Sequence, residues 1–166
     1  MRFFRKKLLP ILVVAGLLIF SGYLYKKYRI APDIEFPEVE VVDLNENPVE
    51  IKELTDGKLT LLVFWATWCG VCREEIPHLE ALEGKFPEDK FQIVMVSDEP
   101  IEEIESFISD KSYPFLFLKL VGKSSELEVH KIPTSYLIKD GVSVDDEVGL
   151  YDWSGEEGLS RIEDQL

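Results

Sequence analysis

The sequence predicts an α/β domain, a sandwich of helices around a mixed sheet. Two continuous apolar runs rich in β-branched and aromatic residues, LTLLVFW (Leu59–Trp65) and FQIVMVS (Phe91–Ser97), fit strands buried on both faces. Each is followed by apolar residues at helical spacing. Near the end, TSYLIKD and VSVDDEVG flank Asp140-Gly141, a strong hairpin signal. Strand–helix alternation closed by a hairpin is the pattern of such a sandwich.

The elements follow in order. Leu8 to Tyr25 is an 18-residue stretch without a charge. As a helix it rises about 27 Å, close to the hydrocarbon thickness of a bilayer. Pro10 sits near its start, and Tyr23, Tyr25 and Tyr28 gather at the far end, where interfacial aromatics belong. A cleaved signal peptide is the competing reading. The basic start suits it, but the run is long, and neither an A-x-A site nor a lipobox cysteine follows. The reading is therefore a basic cytoplasmic start over 1–7, an uncleaved transmembrane anchor over 8–25, a tether over 26–34 and a domain over 35–166. Basic side chains flank the span, four before and three after. That excess, with the free amino terminus, predicts a single-pass protein of the cell membrane with its domain outside the cytoplasm. Thiol–disulfide chemistry has substrates there.

Beyond the tether, VEVVDL (Val39–Leu44) and VEI (Val49–Ile51) flank NENP and read as a small N-terminal hairpin. After the first buried strand, Ile76, Leu79 and Leu82 mark a helix from about Cys69 to Lys85, in which Pro77 should cause a kink. After the second, Ile101, Ile104, Phe107 and Ile108 mark a helix from Pro100 to Asp110, with Ser97 or Asp98 as cap. PFLFLKL reads as a short strand and KSSELEVH as a short helix. Ser154 and Glu157 form an S-x-x-E capping box that opens a last helix to about Gln165.

Hydrophobic residues make up 46% of the 166, enough for a core and too many for disorder. Residues 1–31 hold seven basic and no acidic side chains. The remainder holds 11 basic against all 32 acidic ones, a formal net of −21. Such a domain repels nucleic acid and anionic headgroups. Solubility explains the charge, and a preference for basic partners is the sharper alternative. Two cysteines cannot build a disulfide scaffold or a four-thiolate zinc site. A mixed metal site with His78 and His130 lacks a recognised second ligand pair.

The two cysteines, Cys69 and Cys72, lie in WATWCGVCREEIP, and the strand before them ends at Trp65. Cys69 thus falls at a helix start, where free N–H groups and the helix dipole stabilise the reactive thiolate. Cys72 is one turn on, close enough to form a disulfide and less exposed. An inert local bridge is the alternative, but so small a loop would add little stability.

With this segment the chain resembles the thioredoxin-like proteins, specifically the membrane-anchored TlpA/ResA type of thiol-disulfide oxidoreductase. The resemblance runs from APDIEF (Ala31–Phe36) through the hairpin, FWATWCGVCREEIP, SDEP and IPTSYLIKDG to the terminal helix. It implies a thioredoxin-like fold with an N-terminal β-hairpin extension and a transmembrane helix, and it implies no organic cofactor or metal. By position, Pro133 matches the proline that the family holds cis beside the cysteines, and the Ile132 backbone would pair with an extended substrate peptide. Trp65 matches a core position and Trp68 an exposed lip. Glu75 matches a glutamate linked to proton handling, with plain surface charge as the alternative. Two positions depart from relatives. Val63 stands where thioredoxins carry a buried Asp, six residues before the first cysteine, and Val71 stands where many relatives have proline.

The resemblance implies reduction of protein disulfides, with Cys69 as nucleophile and Cys72 as resolving thiol. Apocytochrome c or another secreted, basic protein is the expected substrate, and a membrane thiol the electron donor. Disulfide isomerase or oxidase is the close rival, separated by redox potential. A thiol peroxidase is disfavoured by the absence of a P-x-x-x-T-x-x-C context. A metallochaperone using Cys69, Cys72 and His130, or a non-catalytic binding module, are readings of other classes.

Overall fold

The computed structural model describes residues 2–166, with side chains at 10 and 12–166. Two compact units result, divided between Ile30 and Ala31. The first is one helix, α1 (Arg2–Arg29). Among the described residues no helix is long and apolar enough to cross a membrane. The basic start, 1–7, and residues 8, 9 and 11 of the expected span have side chains outside the described residues. The described remainder ends in Lys26, Lys27 and Arg29. The expected tether divides. Residues 26–29 continue α1, while Ile34 is buried in the second unit and the Pro32 carbonyl accepts from Tyr136 Oη at 2.9 Å.

The second unit, Ala31–Leu166, is built on one seven-stranded sheet. Its strands are β1 (Val41–Val42), β2 (Pro48–Val49), β3 (Leu59–Phe64), β4 (Phe91–Ser97), β5 (Leu116–Leu120), β6 (Thr134–Lys139) and β7 (Val142–Val148). Their spatial order is β2-β1-β5-β4-β3-β6-β7. The three central strands β5, β4 and β3 run parallel, and β6, β7, β1 and β2 add antiparallel pairs on either side. The sheet is therefore mixed, as expected.

Every residue of β3 is buried. Leu59, Leu61 and Val63 face a core with Leu79, Ile104, Trp153 and Ile162, whereas Leu62 and Phe64 face Phe36, Ile51, Val129 and Tyr136. An unbroken apolar run is what a strand covered on both faces requires. Each such side chain, fully buried, stabilises by about 1.5–3 kcal/mol.

The remaining helices are α2 (Ile51–Thr55), α3 (Gly70–Glu80), α4 (Ile101–Ile108) and α5 (Glu156–Glu163). Several bounds differ from the sequence reading, for local reasons. The N-terminal hairpin is short because the Asp43 carboxylate accepts the amides of Asn45 and Asn47, both at 2.8 Å, and closes the turn early. Ile51 then opens α2 instead of extending a strand. α3 stops at Glu80, one turn after Pro77, which brings no amide to its ladder. Pro100 is the N-cap of α4 and offers no side-chain cap. Ser97 instead donates to Glu99, and Asp98 accepts the Ser124 amide. KSSELEVH makes only a 3-10 turn, Ser124–Leu127, ended by Glu128 at φ 59°. The capping box at Ser154 does not form. Asp152 accepts the Ser154 amide and hydroxyl and the Gly155 amide, and α5 begins one residue later with Gly155 as its N-cap.

Candidate active site

Topology brings two loops to one end of the sheet. β3 is antiparallel to β6, with Phe64 paired to Thr134, so the end of β3 and the start of β6 are neighbours. The segment after Phe64 carries the cysteines, and the segment before Thr134 carries Ile132 and Pro133. β4 runs parallel to β3 with Val96 beside Phe64, so the residues after β4 reach the same end.

There Glu99, itself buried, fastens the loop that enters α3. Its carboxylate accepts the Thr67 amide at 2.7 Å, the Thr67 hydroxyl at 2.8 Å and the Ser97 hydroxyl at 3.0 Å. The Cys69 amide then donates to the Ala66 carbonyl at 3.1 Å. Cys69 is left in an extended conformation as the N-cap of α3, and its Sγ accepts the Cys72 amide at 3.1 Å. The sulfur thus occupies the place of an N-cap side-chain oxygen, where the unpaired amides of the first turn favour negative charge.

Cys69 and Cys72 are joined as a disulfide, with Cα atoms 5.3 Å apart. Cys69 is 7% exposed and Cys72 1%, so Cys69 is the more accessible sulfur. The Ile132–Pro133 bond is cis, and the Ile132 carbonyl oxygen lies 3.8 Å from Cys69 Sγ. Trp68, 72% exposed, stands beside the pair, and Trp65 is buried in the core. Val63, where thioredoxins keep an acid, is fully buried among apolar neighbours.

Glu75 lies one turn beyond Cys72 on α3 and is 1% exposed, which removes the surface-charge reading; Glu74 is exposed. Oε1 accepts the Tyr151 amide at 3.3 Å, and Oε2 has no partner. Burial pushes the carboxyl up to about 8; the Tyr151 amide works against this rise, and the nearby Glu147 adds to it. One turn on, His78 Nδ1 meets Asp152 Oδ1 at 3.0 Å, so the loop over α3 holds two successive turns of the helix. His130 is exposed.

The arrangement therefore gathers the expected residues Cys69, Cys72, Trp68, Ile132 and Pro133 at one end of the sheet, with the sixth, Glu75, one turn beyond Cys72 on α3. Sequence reasoning missed Glu99 and the loop at Tyr151. The signal for Glu99 was its position: a carboxylate just past a buried strand parallel to the strand that leads to the cysteines.

Residues 29–145 match the AhpC/TSA family. The thiol-disulfide oxidoreductase ResA of Bacillus cereus is 33% identical over 153 residues, 88% of this chain and 87% of that one. ResA of Bacillus thuringiensis is 31% identical over 169 residues, 98% of this chain and 93% of that one. The chain belongs to the ResA/TlpA-like thiol-disulfide oxidoreductases. StoA from Bacillus subtilis, in its crystal structure, aligns with a TM-score of 0.59 at 23% identity over 78% of this chain and 99% of that one, a likeness of fold. The mixed sheet is thus the thioredoxin-like core of a ResA/TlpA-like enzyme, and the Cys69–Cys72 disulfide is its redox-active pair in the oxidised form.

Proposed function

We propose that this enzyme is a membrane-tethered, extracytoplasmic reductase of protein disulfides. The observation that carries the reading is the placement of Cys69: the more exposed sulfur, at a helix N-terminus, beside the backbone carbonyl of Ile132. In the reduced form the Cys69 thiolate attacks a substrate disulfide. One substrate sulfur leaves as a thiolate and takes up a proton, and a Cys69–substrate mixed disulfide remains. Cys72 then loses its proton and attacks Cys69 Sγ. The second substrate sulfur leaves as a thiolate and takes up a proton, and the Cys69–Cys72 disulfide forms. Two electrons and two protons pass to the substrate.

Glu75 is the acceptor for the Cys72 proton. A carboxyl at about 8 is nearly matched to an ordinary thiol at about 8.5, so the transfer between them costs little. Trp68 supplies an apolar lip, and the Ile132 backbone pairs with the substrate chain. The acidic surface suits basic substrates, of which apocytochrome c is the one that the family resemblance suggests, with a membrane thiol as electron donor. The charge-free run from Leu8 to Tyr25 supports the tether. Leu12, Leu17, Leu18, Ile19 and Phe20 on α1 are all exposed, as side chains seated in lipid would be in the isolated chain.

The redox potential of the pair, measured against glutathione, tests the direction. A reductase lies below its substrates' disulfides and is found reduced when cells are trapped with a thiol-alkylating agent. A strongly oxidising potential with a fully oxidised trapped state would instead favour the oxidase or isomerase reading. A reporter fused after Leu166 tests the topology, and activity of a cytoplasmic reporter would refute it.

A further inference from the structure

Arg161, on α5, is the most heavily engaged cation of the second unit. Nε and Nη2 donate to the two Asp145 oxygens, each at 2.7 Å, Nη1 donates to Glu147 Oε2 at 3.0 Å, and Nη2 also donates to the Asp146 carbonyl at 2.9 Å. The guanidinium carbon lies 4.8 Å from the ring centroid of Tyr151 and 4.9 Å from that of Trp153. Those two rings meet edge to face at 4.9 Å. Tyr151 is the residue whose amide reaches Glu75.

We infer that Arg161 is a positioning residue for Glu75: it clamps Tyr151 and Trp153 to α5 and β7, holding the Tyr151 amide on the carboxyl and keeping water from it. The significance for turnover rests on the proton role proposed above. The side chain suits the task. A planar fork binds a carboxylate through two parallel bonds while its face lies on aromatic rings, and a lysine cannot do both. The second contact has its own consequence. Glu147 raises the Glu75 carboxyl, and Arg161 holds Glu147 in a fixed ion pair.

The groups around Glu75 come from several elements: the Cys69–Cys72 disulfide, which does not ionise, at the start of its own helix, Glu147 on β7, Tyr151 on the loop and Arg161 behind it on α5, with the His78–Asp152 pair one turn farther along. Arg161→Lys keeps a positive charge beside Glu147 and removes the fork and the stacking. The altered property is then the closure of the loop. Tyr151→Leu removes the ring and keeps the amide, with no change of charge, and serves as an independent second variant.

The test uses the full chain in its oxidised form. Glu75 ionisation is followed by carboxyl carbon NMR against pH, with the resonance assigned by its loss in Glu75→Gln, and exchange of the Tyr151 amide is measured alongside. In both variants hydration of the carboxyl, the larger effect, should outweigh any loosening of the Tyr151 amide, so the midpoint should fall by about one pH unit, part of the several units that full burial of a carboxyl produces, and a rise would overturn the inference. The Tyr151 amide should exchange faster. An unchanged midpoint and exchange rate in Arg161→Lys, with or without a lower melting temperature, would overturn the inference and leave Arg161 a structural residue. The NMR midpoint reports Glu75 whether or not it moves protons during turnover. Failure of the proton role would appear separately, as an unchanged pH profile of disulfide reduction in Glu75→Gln.

Discussion

The Tyr151 amide donates to Glu75 Oε1 at 3.3 Å from 76 residues away in sequence, while Oε2 of the same buried carboxyl has no partner. A buried acid with one long hydrogen bond is costly as an anion and tolerable as a neutral group. The fold therefore holds Glu75 in a state that favours the proton. A proton acceptor for Cys72 should have that property, provided its affinity is close to that of the thiol.

Stability should depend on pH through Glu75. Its folded value, about 8, lies above the ordinary 4.5, so between these values the folded state binds more protons than the unfolded one. The favourable term is thus complete below 4.5, declines as pH rises and is gone above about 8. At about 1.4 kcal/mol per unit, the decline is on the order of several kcal/mol. Glu75→Gln should flatten it. Denaturant midpoints measured from about pH 5 to pH 9 check this, and an equal slope in both proteins would remove Glu75 as the cause.

Glu99 should govern both stability and rate. Glu99→Ala leaves the Thr67 amide and the Thr67 and Ser97 hydroxyls without their acceptor in a largely buried place. Unpaired donors of this kind cost about 1–3 kcal/mol. Because Thr67 precedes the cysteine loop by two residues, its release should also misplace Cys69 and lower the reduction rate about tenfold. Glu99→Gln keeps the acceptor oxygen and should lose less of both. Urea denaturation and turnover of a model disulfide measure the two effects. Full activity in Glu99→Ala would show that the loop holds its shape without the carboxylate.

Much of this was legible in the sequence, where local pattern and tertiary environment agree. Phe91–Ser97 is a strand over the very residues of its apolar run, because a centre strand needs both faces apolar. Cys69 at a helix start follows from a buried strand that ends at the tryptophan just before it. Features decided by distant partners were not legible. The spacing from Cys72 places Glu75 on the helix but says nothing of burial, which depends on a loop 76 residues on. The S-x-x-E spacing at Ser154 predicts a cap, yet Asp152 is closer and captures the same hydroxyl at 2.7 Å. The clamp of Arg161 has no local signature at all, since its partners come from β7 and the following loop.

The two cysteines should behave unequally. Cys69 is the more exposed, and its Sγ receives the amide of the first helical turn, which stabilises a thiolate. Cys72 is nearly inaccessible to a partner protein and lies behind Cys69 on α3. In the reduced enzyme Cys69 should therefore alkylate first and at lower pH. Cys72→Ser leaves the nucleophile without a resolving thiol, so mixed disulfides with substrates should accumulate on Cys69 and be recovered on non-reducing gels. Cys69→Ser removes the accessible sulfur and should trap far fewer. Both variants should lose turnover of a protein disulfide, because each step of the exchange needs a thiol in its own place. The check is the ratio of trapped species between the two variants at equal expression. Equal trapping would mean that the more buried sulfur reaches substrate as readily as the exposed one, and the assignment of nucleophile and resolving thiol would then be abandoned.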